Sequence, residues 1–334
     1  EVLNQNYLLT SYGEEQGEEI LRNALQKYSL GTRSVNTSYE NIIVGAGTQT
    51  LLHILCSLLG NNKKIALADY SYIQSEYVFN SHGYDIKYFR CDKYGACIDS
   101  LEEIKPDIIL INPNFTVNSN ITMPVTRRLE IIKWAKENNV LIIEDDYNGE
   151  LRYSTHPMPC VQNYDTENTV YLGSFSKILL PSVRISYMVL PESLMRRYDE
   201  MLSFYACTVS NIEQYTLARF ITDGCLEKHI NRMRNYYREQ RDLVLACIKK
   251  YMNPDKIRIR EENSGLHFLL EIDTNYSDER LRNNAEARDI HISFLSQYYR
   301  NTENARYHTL VINYSGIMPE HIEEAVRRLI ESIE

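Results

Sequence analysis

Several features are missing from this sequence, and each absence excludes a class of protein. The 334 residues include seven cysteines, an odd number with no CxxC pair. Neither a disulfide framework nor a zinc site is therefore indicated, and a reducing cytoplasm suits the chain. No run of about 18 apolar residues is present, so no membrane-spanning helix is expected. The first residues lack the basic and apolar regions of a signal peptide.

Positive charge is also scarce. The chain has 36 Lys and Arg against 45 Asp and Glu, for a net charge of −9. Because DNA affinity without sequence preference comes mainly from basic residues on phosphates, the chain is a poor candidate for holding DNA by itself. A DNA-binding module elsewhere in a longer polypeptide stays possible. The chain does not begin with Met, so we expect a mature form or a part of something longer.

The order of predicted elements indicates an α/β fold. The composition, 43% hydrophobic and 24% charged, is that of an ordinary globular protein, and the length favours two domains. Helical patterns cover 48–60 and 124–139. Short apolar runs typical of strands alternate with them, at 41–47, 63–69, 84–92, 106–112, 140–146, 169–173 and 184–190. Such alternation predicts a largely parallel sheet covered by helices.

The second half of the chain has a different pattern. A long amphipathic helix is predicted over 226–252, strands over 264–273 and 308–315, and a last helix over 319–334. The Arg-rich face of 226–241, with His229, is expected to be a solvated or interface surface rather than a DNA patch. We therefore expect a second, α+β domain, with a boundary near residue 200.

The stretch "IIEDDYNGELRY" carries acidic side chains at the end of an apolar strand. In open α/β sheets that end is where ligands bind. Asp145 and Tyr147 are two residues apart, so in an extended segment they point to the same side. A carboxylate and a phenol side by side can address two neighbouring polar atoms of one flat ring. The alternative is that these acids are simply solvated.

The stretch "VGAGTQT" joins a strand to a helix through small residues. Gly45 and Gly47 end the strand, and Thr48 and Gln49 open the helix. Exposed N–H groups at a helix start bind anions, and the glycines let a phosphate approach. The stretch lacks the G-x-G-x-x-G pattern and the lysine of a P-loop. A plain strand–helix connection is the alternative.

The stretch "GSFSK" places a lysine in a serine turn. Ser174 and Ser176 can hold phosphate oxygens, and the planar fork of Arg184 suits phosphate as well. Such surroundings favour a neutral amine at Lys177, which can form a Schiff base with an aldehyde. Lysine, phosphate cradle and carboxylate–phenol pair are together what pyridoxal phosphate (PLP) needs, since the carboxylate keeps the pyridine nitrogen protonated.

These motifs resemble those of the fold-type I aminotransferases. More narrowly, "EDDYNGELRY", "YLGSFSKILLPSVRISYMV" and "HINRMRNYYREQRD" resemble the aminotransferase-like domain of the MocR-type (GabR-like) regulators of the GntR family. Those proteins join a winged helix-turn-helix domain to a PLP-binding domain. The resemblance covers nearly the whole chain, from "YGEEQGEEILRNAL" to the last helix. It implies a large domain with a seven-stranded, mostly parallel sheet, a smaller C-terminal domain, and a cytoplasmic homodimer.

The resemblance also implies a division of the chain and a role for each site residue. Residues 1–36 would contribute to the dimer and the site, 37–200 would form the PLP-binding domain, and 201–334 the connecting helix and small domain. Lys177 would form the Schiff base, Asp145 would pair with the pyridine nitrogen, and Tyr147 would bond the 3-hydroxyl. The remaining cofactor contacts would come from Gly47, Thr48, Gln49, Ser174, Ser176 and Arg184 at the phosphate, Tyr72 stacked on the ring, and Tyr12 from the partner subunit.

Two segments depart from the family pattern. In "NPNFTVNSNITMP" the asparagine near the 3-hydroxyl is taken as Asn114, with Asn112 and Asn118 as alternatives. Where many aminotransferases carry an arginine for the substrate carboxylate, this chain has Val311. The upstream segment 286–299, where the resemblance implies an arginine instead, offers His291, with Arg288 close to it in sequence. Histidine is a weaker, pH-dependent carboxylate partner.

Three functions remain open at this point. In the first, the chain would be the effector and dimerisation domain of a MocR-type regulator, sensing an amino compound or PLP at Lys177. Alternatively it is a free-standing aminotransferase of the aminoadipate or aromatic type, in which Lys177 moves protons. The third hypothesis is an α/β scaffold without a cofactor. In the first case DNA is bound only by a winged helix-turn-helix domain that these residues do not contain. No metal or membrane partner is expected.

Overall fold

The computed structural model of the chain describes residues 12–70, 73–114, 122–147, 149–151, 158–260, 265–300 and 305–333. These residues form two units. The first contains the described residues up to Glu150 and those from residue 158 to Ile230. The second contains Leu151 and the described residues from Asn231 onward.

A seven-stranded sheet forms the centre of the first unit. Its strands are β1 (Ile42–Gly45), β2 (Lys64–Ala68), β3 (Asp85–Phe89), β6 (Ile108–Ile111), β7 (Leu141–Asp146), β8 (Thr169–Ser174) and β9 (Ser186–Val189). Their order in the sheet is β1-β9-β8-β7-β6-β2-β3, and β9 is antiparallel to both neighbours while the other pairs are parallel. A separate two-stranded ladder is formed by β4 (Cys91–Asp92) and β5 (Gly95–Ala96). The predicted mostly parallel sheet is confirmed.

Helices cover both faces of this sheet. Side chains alternate between the faces along each strand, so each strand contributes to two cores. One core joins Ile143 and Leu172 to α2, and the other joins Ile142 to α5. The helices of this part of the chain are α1 (Glu19–Arg33), α2 (Thr48–Leu59), α3 (Ile73–Ser81), α4 (Ile98–Ile104), α5 (Val125–Asn138), α6 (Glu192–Met201), α7 (Asn211–Thr222) and α8 (Cys225–Tyr251).

The second unit is a smaller α+β domain, as expected. Its antiparallel sheet has the order β10-β11-β12, and the apolar side chains on one face pack with helices. Its further elements are β10 (Ile257–Arg260), β11 (His267–Ile272), α9 (Asp278–Glu286), β12 (Thr309–Asn313) and α10 (Ile322–Ile333). Among the described residues no helix is both long enough and apolar enough to cross a membrane.

Candidate functional site

The carboxyl edge of the large sheet gathers most of the predicted site residues. Because β1, β7 and β8 run in the same direction, their carboxyl ends meet at one edge, and the reversed β9 begins there. Ser186 of β9 lies opposite both Gly45 and Ser174. Asp145 lies opposite Leu172, whose side chain belongs to the core under α2. Asp145 and Ser174 therefore share the sheet face that α2 covers.

The start of α2 has the features of an anion-binding site. Gly47 is the N-cap residue, with φ 92°, and no side chain caps the helix. The N–H groups at Thr48 and Gln49 therefore lie at an uncapped helix start, where the helix dipole favours negative charge. A Cβ atom built on Gly47 would collide with Nη2 of Arg184. Only glycine, which also tolerates this φ, lets the guanidinium group lie against the helix start.

Arg184 is held in place by its backbone. It ends a short 3₁₀ turn, Pro181–Val183, in the left-handed region with φ 52°. Its side chain packs on Gly47. It makes no hydrogen bond or ion pair with the described residues. A guanidinium group beside an uncapped helix start leaves two kinds of donor available to one anion.

The serine turn presents the lysine. Ser174 is buried, and its Oγ accepts hydrogen bonds from the Ser176 backbone N–H (3.3 Å) and the Ser186 hydroxyl (3.1 Å). Lys177 follows as an exposed residue. The turn closes when the Leu179 N–H donates to the Phe175 carbonyl at 2.8 Å. The sequence thus places a primary amine just outside a rigid polar turn.

His229 is a contact that the sequence did not signal. It lies in the first turns of α8, in a stretch expected to be a solvated or interface surface. The structure makes it half-buried, and its Nε2 donates to the carbonyl of Ile178 at 2.8 Å. His229 therefore braces the residue directly after Lys177. Helical periodicity alone gives no sign of a contact with so distant a loop.

Asp145 is a buried carboxylate that no cation of the described residues contacts. It is 9% exposed, and among the described residues it has no hydrogen bond or ion pair. Burial, and then the neighbouring Asp146 charge, raises its pKa to about 7. Tyr147 follows two residues later and is half-buried. Such an acid suits a ligand that brings its own positive charge.

Asp146 lies on the opposite face and has several partners. Its carboxylate accepts from Arg33 Nε (2.6 Å), Asn114 Nδ2 (2.6 Å) and the Tyr171 hydroxyl (2.9 Å). Burial alone would raise the pKa of Asp146, but the Arg33 charge and the two other donors hold it below its usual value. The amide of Asn114, predicted to lie near the 3-hydroxyl, is thus directed to Asp146. Its role toward PLP stays a prediction.

The remaining predicted residues lie near the start of the described chain, in the second unit or outside the described residues. Tyr12 is 97% exposed, beyond the point where the Val44 N–H donates to the Gln16 carbonyl at 2.7 Å. Tyr72 and Asn118 lie outside the described residues. His291 and Arg288 are exposed residues of the second unit, and Arg288 donates to the Asn284 carbonyl at 3.0 Å. The roles given to these residues stay predictions.

The residues present fit PLP. The unpaired buried carboxylate of Asp145 matches a protonated pyridine nitrogen. The uncapped start of α2, Arg184 and the two serines match a phosphate, and Lys177 supplies a primary amine. No group of three or more His, Cys, Asp or Glu that could hold a metal ion occurs in the part of the chain that the structure describes.

The fold is that of the fold-type I aminotransferases. The crystal structure of a multiple substrate aminotransferase from Thermococcus profundus superimposes with a TM-score of 0.83 at 25% identity, covering 99% of this chain and 85% of that one. The family model for aminotransferase class I and II matches residues 3–329. The chain therefore belongs to the aminotransferase class I and II family.

Its similar relatives include transcriptional regulators. The uncharacterized HTH-type transcriptional regulator YdeL of Bacillus subtilis is 37% identical over 94% of this chain and 67% of its own length. The probable rhizopine catabolism regulatory protein MocR of Rhizobium meliloti is 27% identical over 94% of this chain and 63% of its own. The chain thus spans about two thirds of the length of these relatives.

Proposed function

We propose that this chain is the PLP-binding, effector-sensing and dimerising domain of a MocR-type transcriptional regulator. The signal would be an amino compound, or PLP itself, taken up at Lys177. DNA would be bound by a winged helix-turn-helix domain outside these 334 residues. The regulator would act in the cytoplasm as a homodimer.

One observation carries this proposal: nearly the whole chain is similar to only two thirds of an HTH-type regulator. The match to YdeL covers 94% of this chain but 67% of that protein. The remaining third has room for a small DNA-binding domain. The net charge of −9 agrees with this division, because DNA affinity would then come from the other domain.

Each described site residue has a defined task in this proposal. When bound, PLP supplies an aldehyde that takes up primary amines and a ring that withdraws electrons. Lys177 would hold the cofactor through its amine. Asp145 would keep a proton on the pyridine nitrogen, because its buried carboxylate has no cation among the residues that the structure describes. Tyr147 would donate to the 3-hydroxyl oxygen, two residues along the same edge.

The phosphate would be held at the junction of β1, β8 and β9. The N–H groups at Thr48 and Gln49 would donate to it at the uncapped start of α2. Arg184 would supply a planar, permanently charged fork. Ser174 and Ser176 would add hydroxyl donors. Several donors on separate elements would orient the ring before any amine arrives.

The test uses the full open reading frame. The purified protein should show a visible absorbance from bound PLP, and Lys177→Ala should remove it. Adding the right amino compound should change both this absorbance and the affinity for the DNA upstream of the gene, measured by mobility shift. A reading frame that starts close to Glu1, or DNA binding that PLP and amines leave unchanged, would overturn the regulator proposal.

A free-standing aminotransferase is the second candidate. It is favoured by the similarity to the Thermococcus profundus aminotransferase over 99% of this chain. The purified chain would then transfer amino groups in the steady state across a panel of amino acids and keto acids. A protein that keeps its visible absorbance but shows no turnover across that panel would count against this candidate.

A further inference from the structure

A buried polar cluster lies behind Asp145, on the opposite face of the sheet, and the proposed function gives it no task. Its members come from α1, the segment after β6, the end of β7 with the following turn, and β8. We call it the Asp146 cluster: Tyr28, Arg33, Asn114, Asp146, Glu150 and Tyr171. Tyr28 is half-buried and the other five are buried.

Arg33 is the centre of this cluster. Its Nε donates to Asp146 at 2.6 Å, and its Nη2 lies 3.3 Å from Glu150 Oε2. Tyr28, one turn earlier on α1, donates its hydroxyl to the other Glu150 oxygen at 3.0 Å. A Cβ atom built on Gly149 would collide with Arg33 Nη2. The turn after β7 is therefore shaped around this guanidinium group.

The position of Asp146 bears directly on Asp145. The two are neighbours at the end of β7, so their side chains point to opposite faces. Three donors from α1, the segment after β6 and β8 fix Asp146 on its face. Fixing Asp146 in turn fixes the direction of Asp145 toward the face that α2 covers. A side chain of α1 thus reaches the cofactor edge through one shared peptide unit.

The charges of Asp146 and Arg33 also affect the pKa of Asp145. The Asp146 carboxylate raises the pKa of Asp145, and the Arg33 charge opposes that carboxylate. Further titratable groups lie around Asp146 on the elements packed there. They are Glu144 of β7, Glu150 of the next turn, Arg128 of α5, Tyr171 of β8, Tyr187 of β9 and Cys160. Among the described residues, the cation in contact with Asp146 is Arg33, not Arg128.

We propose that Arg33 is a positioning residue of the cofactor site, which holds Asp146 from behind and thereby sets the direction and charge environment of Asp145. The proposal rests on the proposed function, since Asp145 must face PLP. Arg33 itself would not touch the cofactor. Its removal would change how the site responds to pH, besides any loss of stability from an unpaired buried carboxylate.

The experiment measures the affinity for PLP from pH 6 to 9 in protein whose fold is checked by circular dichroism. Wild-type affinity should rise through a midpoint near the Asp145 pKa of about 7. In Arg33→Met the Asp146 charge is unopposed, so the midpoint should move up by about one unit, with binding about fivefold weaker at pH 7. Arg33→Lys should move it by less than half as much.

Two further variants separate positioning from plain stability. Arg33→Met combined with Asp146→Asn restores the charge balance and should return the midpoint to the wild-type value. Arg196→Met removes an exposed ion pair to Glu192 (3.2 Å) and should leave the midpoint unchanged. An unchanged midpoint in Arg33→Met, or no return in the double variant, would overturn the proposal even if the melting temperature falls.

A milder variant covers the case in which Arg33→Met does not fold. Tyr171→Phe removes one donor to Asp146 and keeps every charge, so a smaller upward shift of the midpoint is expected. No shift in folded Tyr171→Phe would then overturn the proposal. Wild-type protein that does not bind PLP at all would instead sink the proposed function, so the two failures are distinguishable.

Discussion

At the scale of single residues, the site depends on two neighbouring aspartates with opposite surroundings. Asp146 has a cation and two further donors, whereas Asp145 is also buried and has none among the described residues. An unpaired buried carboxylate costs folding free energy, so a chain keeps one where a ligand completes it. Asp145 is therefore expected to weaken the cofactor-free protein and strengthen the bound one.

Asp145→Asn should stabilise the cofactor-free protein, but only at higher pH. The pKa of Asp145 is raised to about 7, so the folded state holds its proton between about pH 4 and 7 while the unfolded state releases it. Wild-type stability on this account falls as the pH rises through that window, by at most about 4 kcal/mol. Urea unfolding of wild type and Asp145→Asn at pH 5 and pH 8 measures the gain in stability. An equal gain at both pH values would contradict a raised pKa of Asp145.

Gly47→Ala should weaken phosphate binding by displacing Arg184. A methyl group there would collide with the guanidinium group, and φ 92° is unfavourable for alanine. Gly60→Ala is the matched control, because Gly60 has φ 81° at the other end of the same helix and open space around an added Cβ. Both variants should lose about 1 kcal/mol or more of stability. Only Gly47→Ala should also lower PLP affinity, by about tenfold; equal affinities would argue against the Arg184 contact.

At the scale of elements, the packing of α7 on α1 supports the helix start at the site. Gln214 of α7 is fully buried; its Oε1 accepts from the Glu18 N–H at 2.7 Å, and its Nε2 donates to the Val209 carbonyl at 2.9 Å. Nearby, the Thr208 hydroxyl accepts from the Ala46 N–H at 2.9 Å. The Gln214 side chain thus connects Glu18, directly before α1, with the segment 208–209, and Thr208 of that segment binds the turn before α2.

Gln214→Leu should be strongly destabilising. It removes the side-chain hydrogen bonds of Gln214, including a weaker one to the Cys207 sulfur, and leaves two backbone groups without their partners. The cost should be about 2 to 4 kcal/mol. Ser210→Ala, at the exposed N-cap of the same helix, should cost about 1 kcal/mol. Thermal unfolding of the two variants measures the difference. Similar losses would mean that water replaces the Gln214 contacts.

The sequence predicted elements far better than it predicted contacts. The apolar runs at 106–112 and 140–146 contain β6 and β7, because buried parallel strands need continuous apolar residues. The short strand β10 was not predicted, since alternating Ile and Arg over four residues gives too little signal. Two contacts were not predicted either: that of His229 with Ile178 and that of Arg33 with Asp146. Pairs so distant in sequence follow from topology and leave no local pattern.

At the scale of the whole molecule, the proposed homodimer gives Tyr12 a task. Tyr12 is 97% exposed, and the resemblance assigns it to the site of a partner subunit. In a symmetric dimer each copy would lend its Tyr12 to the other copy. The homodimer of the proposed function therefore predicts that two defective chains can complement each other.

Tyr12→Ala and Lys177→Ala should each bind PLP poorly when alone. Mixed and allowed to exchange subunits, they should recover about a quarter of the wild-type visible absorbance, since half of the dimers would be mixed and each would have one intact site. Tyr77→Ala, which alters a tyrosine that is 65% exposed on α3, is the control and should retain full binding. No recovery in the mixture would contradict a role for Tyr12 across subunits.

The ion pair between Arg33 and Asp146 also has a consequence for synthesis of the chain. The two residues are 113 positions apart, so Arg33 leaves the ribosome long before its partner exists. At ordinary translation rates the delay is on the order of ten seconds. During that time the Arg33 side chain of α1 has no carboxylate from β7 to pair with. The Arg33 end of α1 is therefore expected to dock late, and slower translation through β7 should prolong its exposure to chaperones and proteases.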